Sequence, residues 1–298
     1  MKVRVPASSA NLGPGFDSFA VALPLLAEFE LRPAKTWSFD ANGHGVPDGE
    51  DNLFLIGARA VTKAARSNVP PQQVTLRSAI PVARGLGSSA AAIVGGAVAA
   101  NALLGEPLDR RSLLRIASEV EGHADNVAAA LYGALTVAVP DAGGPVATRI
   151  PFPSAWRVCV FIPGASLLTA DARGMLSREV PRADAVFNLA HAAALVAAIL
   201  RSDGALLSLA MDDRLHQPAR TSLVPALAEI IAASRGAGAF GAALSGAGPS
   251  VLAIAPARLA PRVVAAMEET AAQSGVSGRG RVLRVRAAGA QVSASEAR

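Results

Sequence analysis

Apolar positions along the chain follow two periods. Alternating or β-branched runs predict strands at 2–5, 27–31, 74–77, 134–139, 158–162, 251–255 and 281–285. Apolar residues three and four apart predict helices at 52–67, 88–104, 109–121, 184–202, 204–211, 223–235 and 256–274. The segment LDRRSLLRIASEVEGHADN carries one apolar stripe, gathers its acids near the helix end, then breaks and restarts. Turn formers mark loops at 42–51, 141–145 and 236–241. Strands and helices do not alternate as regular βαβ units, so the pattern predicts an α+β fold. The Pro/Gly-rich stretch 140–153 reads as a linker. It divides the chain near residue 150 into an N-terminal unit, 1–150, and a C-terminal unit, 151–298. Residues 293–298 read as a frayed end.

Composition changes this picture little. A chain of 298 residues has room for two domains. The apolar stretch 90–104 is shorter than the ~20 residues a membrane span needs. The N-terminus MKVRVPASSAN reads as a strand entering a loop, without the apolar core of a signal peptide. One cysteine, Cys159, excludes a disulfide framework and fits a reducing compartment, so a cytoplasmic location is expected. Net charge is +5, but arginines alternate with acids in segments such as SREVPRADA, and no basic run of the nucleic-acid type occurs. Neither nucleic acid nor membrane is an expected partner.

Candidate chemistry concentrates in PVARGLGSSAAA, residues 81–92, ahead of a long helix of small residues. Gly85 and Gly87 allow positive φ and close approach to a ligand, and Ser88 and Ser89 stand where N-cap residues belong. Glycyl amides, a helix N-terminus and two hydroxyls suit a polyphosphate. The run has no lysine, so it is not a Walker A loop, and Ala90 breaks the dinucleotide pattern GxGxxG. A tight turn before a capped helix is the plainer alternative.

Three further segments carry polar residues on turns. In PASSANLGPGFDSFAVAL, Asn11 and Asp17 flank a Gly-Pro-Gly turn; in EVEGHADNVAAALYGA, Glu, His, Asp and Asn meet at a helix break. GAALSGAGPSVLAIA is a glycine-rich turn feeding a strand. Plainer readings are a strand corner, an ordinary helix cap and a β-hairpin.

Taken together, the first motif, the loop at 81–92 and the C-terminal glycine-rich motif resemble the signature motifs of the GHMP small-molecule kinases, in family order across nearly the whole chain. With HADN and DRLHQPAR, the resemblance is to members that phosphorylate L-homoserine in threonine biosynthesis. It implies an N-terminal domain like the second domain of ribosomal protein S5 and a C-terminal ferredoxin-like domain. ATP and Mg²⁺ are the implied cofactors. For the nucleotide the resemblance implies Pro81, Val82, Ala83, Arg84, Gly85, Leu86, Gly87, Ser88, Ser89, Ala90 and Ala91, with Asn52 and Leu53 as adenine candidates. The DNLF segment also reads simply as a helix cap. For the acceptor it implies Asn11, Asp17, His123, Asp125, Asn126, Arg173 and Arg220, with Asn126 and Asp17 nearest the chemistry. For Mg²⁺ it implies Ser89 and either Glu121 or Glu119, with Glu121, nearer the motif, preferred.

A zwitterionic alcohol needs this set of charges, since arginine forks hold carboxylates and an acid pairs the ammonium. No lysine lies near any motif, and Asn126 stands where some relatives have an aspartate base, so direct in-line attack without a strong base is expected. HADN replaces the commoner HPDN, a change that Ala124 tolerates in the same backbone. Another GHMP acceptor, such as mevalonate or galactose, and a non-catalytic binding protein stay open, as does a homodimer.

Overall fold

A computed structural model gives the fold and describes residues 1–294. β1 (Lys2–Asn11) and β2 (Gly15–Pro33) form a long antiparallel pair. A register shift between Pro6 and Ala7 divides that pair. The early part of β2 pairs with β5 (Leu135–Val139), and its later part pairs with β4 (Gln72–Ser78). β3 (Ser38–Asp40) adds parallel to β4, and β6 (Val146–Ile150) adds to β5. Helices α1 (Leu53–Ala65), α2 (Ser88–Leu103), α3 (Arg110–Glu121) and α4 (Asp125–Tyr132) pack with this sheet, α2 and α4 directly on β1 and β2.

The second sheet is wholly antiparallel. Its strands β7 (Trp156–Pro163), β8 (Gly241–Leu244), β9 (Val251–Pro256) and β10 (Gly278–Leu283) lie in the order β10-β7-β9-β8. Between β7 and β8 run α5 (Thr169–Gly174), α6 (Arg182–Arg201), α7 (Gly204–Ala210), α8 (Gln217–Arg220) and α9 (Leu227–Gly236). α10 (Ala260–Gln273) joins β9 to β10. Fourth, first, third, second is the ferredoxin-like order. Strand alternation assigns the residues of β7 and β9 to two cores. Val158, Val160, Leu252 and Ile254 join a cluster that also holds Val3, Leu23, Phe29 and Phe54 of the first sheet. Cys159, Phe161, Val251 and Ala253 face Val263 and Met267 of α10 instead.

Several elements depart from the sequence pattern. β1 runs through ASSAN, read above as loop, because Ser8 and Ser9 are buried and their hydroxyls have partners. The 140–153 stretch is not wholly a linker, since β6 occupies 146–150. The division at residue 150 is also crossed: Arg286 exchanges backbone hydrogen bonds with Ala22 and Ala134, and β11 (Gln291–Ser293) pairs with β1. Ser293, expected to fray, lies opposite Lys2; residues 295–298 lie outside the described residues. α9 starts at Leu227 rather than 223, behind Pro225 and a 3-10 turn. Among the described residues one helix, α6, is long and apolar enough to cross a membrane by length and composition. Its Leu195, Ala198 and Ile199 are buried in the fold, as is the polar Asn188.

Candidate active site

The phosphate-type loop sits where the two sheets meet. α2 starts at Ser88, and its cap residue is Gly87 in the left-handed conformation, with no side-chain cap. Ser88 and Ser89 are therefore the first helical residues, not N-caps. The amides of the first turn stay available to an anion, as phosphate binding at a helix N-terminus requires. The glycines serve a different close approach from the expected one. A Cβ on Gly85 would lie 2.2 Å from the Ser245 carbonyl oxygen, and one on Gly87 would lie 2.2 Å from Ser8 Oγ. Both have φ near +70°: +69° and +68°. The loop is thus pressed against the N-terminal and C-terminal motifs. Ser245 Oγ donates to Gly85 O at 2.7 Å, and the Ser8 amide donates to Leu86 O at 3.1 Å.

Not all of 81–91 faces the cavity. Ala83, Arg84, Gly85, Gly87, Ser88 and Ser89 line it, and Val82 lines an adjoining apolar cavity. Leu86, Ala90 and Ala91 are core residues instead, and Pro81 faces a separate groove beside Ile162. The Arg84 guanidinium donates to Pro163 O at 2.9 Å and to Gly164 O, so it fastens the loop to the end of β7.

The expected acceptor residues converge on the same cavity. Asn11, Asp17, His123, Asp125, Asn126, Arg173 and Arg220 all line it, together with Phe16, Thr169, Gly246 and Ala247. Asn11 and Asp17 both take left-handed φ around the Gly-Pro-Gly turn. Asn11 Nδ2 donates to Gly246 O at 3.0 Å, joining the first motif to the C-terminal hairpin. Arg173 and Asp17 form a two-pronged ion pair, with Nη2–Oδ1 at 2.6 Å and Nη1–Oδ2 at 3.1 Å. Arg220 is fully buried. It donates from Nε to Ala172 O at 3.1 Å, and from Nη1 to Gly246 O at 3.2 Å and His216 Nδ1 at 3.1 Å. Asn126 Oδ1 accepts from Ser8 Oγ at 2.8 Å, which leaves its Nδ2 as the free donor.

A carboxylate stands at the head of α2. Ser89 Oγ donates to Glu121 Oε1 at 2.5 Å. Glu119 pairs with Arg115 on the surface at 2.8 Å. Burial pushes the Glu121 carboxyl up, against the Ser89 hydrogen bond. His123 sits between two acids, with Nδ1 2.6 Å from Asp125 and Nε2 3.7 Å from Glu121. Burial would depress its pKa, but the Asp125 hydrogen bond and both carboxylates outweigh burial and raise it. A buried hydroxyl–carboxylate pair of hard oxygens, beside open helix amides, could hold a magnesium ion whose remaining ligands are water and phosphate. Among the described residues no group of three or more His, Cys, Asp or Glu side chains is placed to hold a metal ion.

Beside the loop lies an apolar cavity of about 260 Å³ lined by Phe39, His44, Val46, Leu76, Ile80 and Leu168, among others. Asn52 and Leu53 reach its wall. Asn52 nevertheless acts first as the cap of α1, its Oδ1 accepting from Phe54 N at 3.0 Å and Leu55 N at 3.3 Å. Ala83, Ser88, Ser89 and Thr169 border both cavities, so the two adjoin at the head of α2. The sequence pattern missed Thr169 and Phe16, which belong to no polar cluster. It read Ser8 as loop although Ser8 lies in the first motif.

Comparison with known proteins decides the family. The GHMP kinases N terminal domain matches residues 52–134, and the GHMP kinases C terminal domain matches 195–273. The homoserine kinase of Moorella thermoacetica is 43% identical over 278 residues, covering 92% of this chain and 93% of that protein. The chain belongs to the GHMP kinase family. A second GHMP kinase relative, the homoserine kinase of Desulfitobacterium hafniense, is 39% identical over 98% of this chain and 99% of its own. In structure, the homoserine kinase from Cytophaga hutchinsonii superposes with a TM-score of 0.88 at 29% identity. That match covers 98% of this chain and 96% of the other. The α+β, two-domain GHMP kinase fold read from the motifs is the fold observed.

Proposed function

We propose that this GHMP kinase transfers the γ-phosphoryl group of ATP to the hydroxyl of L-homoserine, giving O-phospho-L-homoserine in threonine biosynthesis. The observation that carries the acceptor is the charge arrangement: the Asp17 carboxylate and the Arg173 and Arg220 forks share one small cavity, whose other acids and arginine, Glu121, Asp125 and Arg84, are engaged by Ser89, His123 and the end of β7. A zwitterion answers both charges, whereas mevalonate brings a carboxylate but no ammonium for Asp17, and galactose brings neither charge. The homoserine kinases of similar sequence, matching over nearly the full chain, support the same reading. The Ser89–Glu121 pair, suited to a metal ion, weighs against a non-catalytic binding protein.

In this reading the adenosine lies in the apolar cavity, and its phosphates lie along the amides of Gly85–Gly87 and the first turn of α2. Ser89 and Glu121 would hold a magnesium ion, which when bound neutralises phosphate charge. Arg173 and Arg220 take the acceptor carboxylate and Asp17 takes its ammonium, in exchange for the Asp17–Arg173 ion pair. Asn126, its carbonyl engaged by Ser8, donates from Nδ2 to the acceptor hydroxyl oxygen and aims a lone pair at the γ-phosphorus. It cannot take the proton. His123 turns Nδ1 to Asp125 and Nε2 toward Glu121, so neither ring nitrogen is offered to the acceptor hydroxyl. Phosphoryl transfer has a loose transition state, so positioning and charge neutralisation suffice; the O–P bond forms as the bond to ADP breaks, and the hydroxyl proton leaves late, to a phosphoryl oxygen or water. The working compartment we infer is the cytoplasm, in keeping with one buried thiol.

A coupled ADP-release assay comparing L-homoserine, mevalonate and galactose tests the acceptor. ADP release with L-homoserine alone is expected. Turnover with mevalonate or galactose in its place, or with none of the three, would overturn the reading.

A further inference from the structure

We propose that His216 is a positioning residue for the acceptor site, its Nε2–H tautomer fixing the Arg220 fork in the orientation that meets the acceptor carboxylate. The inference rests on the reading above, in which Arg220 binds that carboxylate. His216 precedes α8 and is fully buried. Its Nε2 lies 2.8 Å from the Gly13 carbonyl oxygen, which can only accept, so Nε2 carries the hydrogen. Its Nδ1 lies 3.1 Å from Arg220 Nη1, which can only donate, so Nδ1 is bare. One tautomer satisfies both neighbours, and burial, which holds the imidazole pKa below its ordinary value, keeps the ring neutral.

The ring has little freedom to turn. Phe16 stacks on it at 5.2 Å between ring centres. Asp213 accepts the amides of Leu215, His216 and Gln217 and the side-chain amide of Asn188 from α6, which fixes the backbone beneath it. Arg220 therefore meets three acceptors from three parts of the chain: Ala172 O on α5, Gly246 O on the β8–β9 hairpin, and the imidazole. Among the described residues its Nη2 has no protein partner, and Arg220 lines the cavity. His216 supplies the one side-chain acceptor in this set. It also ties the Gly-Pro-Gly turn carrying Asn11 and Asp17 to the arginine that works beside them.

Two variants separate the two faces of the ring. His216→Asn places an acceptor near the Nδ1 position and loses the Gly13 bond. His216→Gln reaches the Nε2 position and loses the acceptor. His216→Gln is expected to raise KM for L-homoserine roughly tenfold or more, the scale of one charge-assisted hydrogen bond, with KM for ATP and kcat little changed. His216→Asn is expected to restore most of that loss. If both variants lower Tm but leave KM for L-homoserine alike and near wild type, His216 is only a core residue and the proposal fails. Nitrogen-15 NMR of the wild-type imidazole decides the same point without a variant. A neutral ring protonated at Nε2 is expected, and an imidazolium or an Nδ1–H ring would overturn the proposal. Absence of homoserine-dependent ADP release in the wild type would instead remove the function on which the proposal rests, while the tautomer stays decided by NMR.

Discussion

Asp17 and Arg173 neutralise each other on the cavity wall, and in the proposed function the acceptor exchanges that one ion pair for two. This gives Asp17 a testable signature. Asp17→Asn should raise KM for L-homoserine by roughly ten- to a hundredfold while kcat changes little. A large fall in kcat at unchanged KM would make Asp17 the proton acceptor instead. Glu121→Gln should raise the magnesium concentration for half-maximal activity roughly tenfold or more, read by titrating Mg²⁺ at saturating ATP. Cys159 makes the opposite kind of prediction. Burial pushes its thiol up to about 12, so it stays protonated through the neutral range and no thiolate forms there. Alkylation near pH ~8 should therefore be negligible in the folded protein and complete in denaturant. The family motifs singled out Asp17, Asn126 and Arg220, and the fold brings all three to one cavity. His216, Phe16 and Thr169 carry no signal in one dimension, because the groups they meet come from distant segments.

At the scale of elements, the motifs matter through how closely they can approach. α2 packs against α1 with almost no separation at Gly96, where an added Cβ would lie 1.8 Å from the Phe54 carbonyl oxygen. Gly96→Ala should then destabilise the protein by ~1–3 kcal/mol or prevent folding, read as a lowered midpoint in thermal or urea denaturation. A midpoint equal to wild type would show that α1 and α2 can slide apart at no cost. Long elements with clear period were legible in sequence: α1, α2, α3, β4, β7 and β9 fall within a few residues of their predicted bounds. The short strands β3, β8 and β11 and the short helices α5 and α8 carry too few residues to show a period. β1 was cut short at Val5 because buried serines satisfied by side-chain partners look, in one dimension, like a loop.

The whole molecule binds its two sheets through one apolar cluster and through the site itself. Ser9 and Ser245 share a hydrogen bond at 2.7 Å, Asn11 reaches Gly246, and β11 returns to β1. The two sheets should accordingly unfold together, with fluorescence and circular dichroism giving coincident urea transitions. Separate transitions would mean that the shared cluster couples them weakly. The sequence motifs pointed to the pieces of the cavity, but not to its being sealed by contacts between the halves. Such contacts follow from the packing of β7 and β9 against the first sheet, which no local pattern encodes. The proposed reaction moves a phosphoryl group from ATP to the acceptor hydroxyl. Phosphorus-31 NMR of the protein with ATP, Mg²⁺ and L-homoserine tests it most directly. A new phosphomonoester signal, split by an adjacent methylene and growing in step with ADP, is the expected result. ADP accompanied only by inorganic phosphate, or no turnover at all, would contradict it.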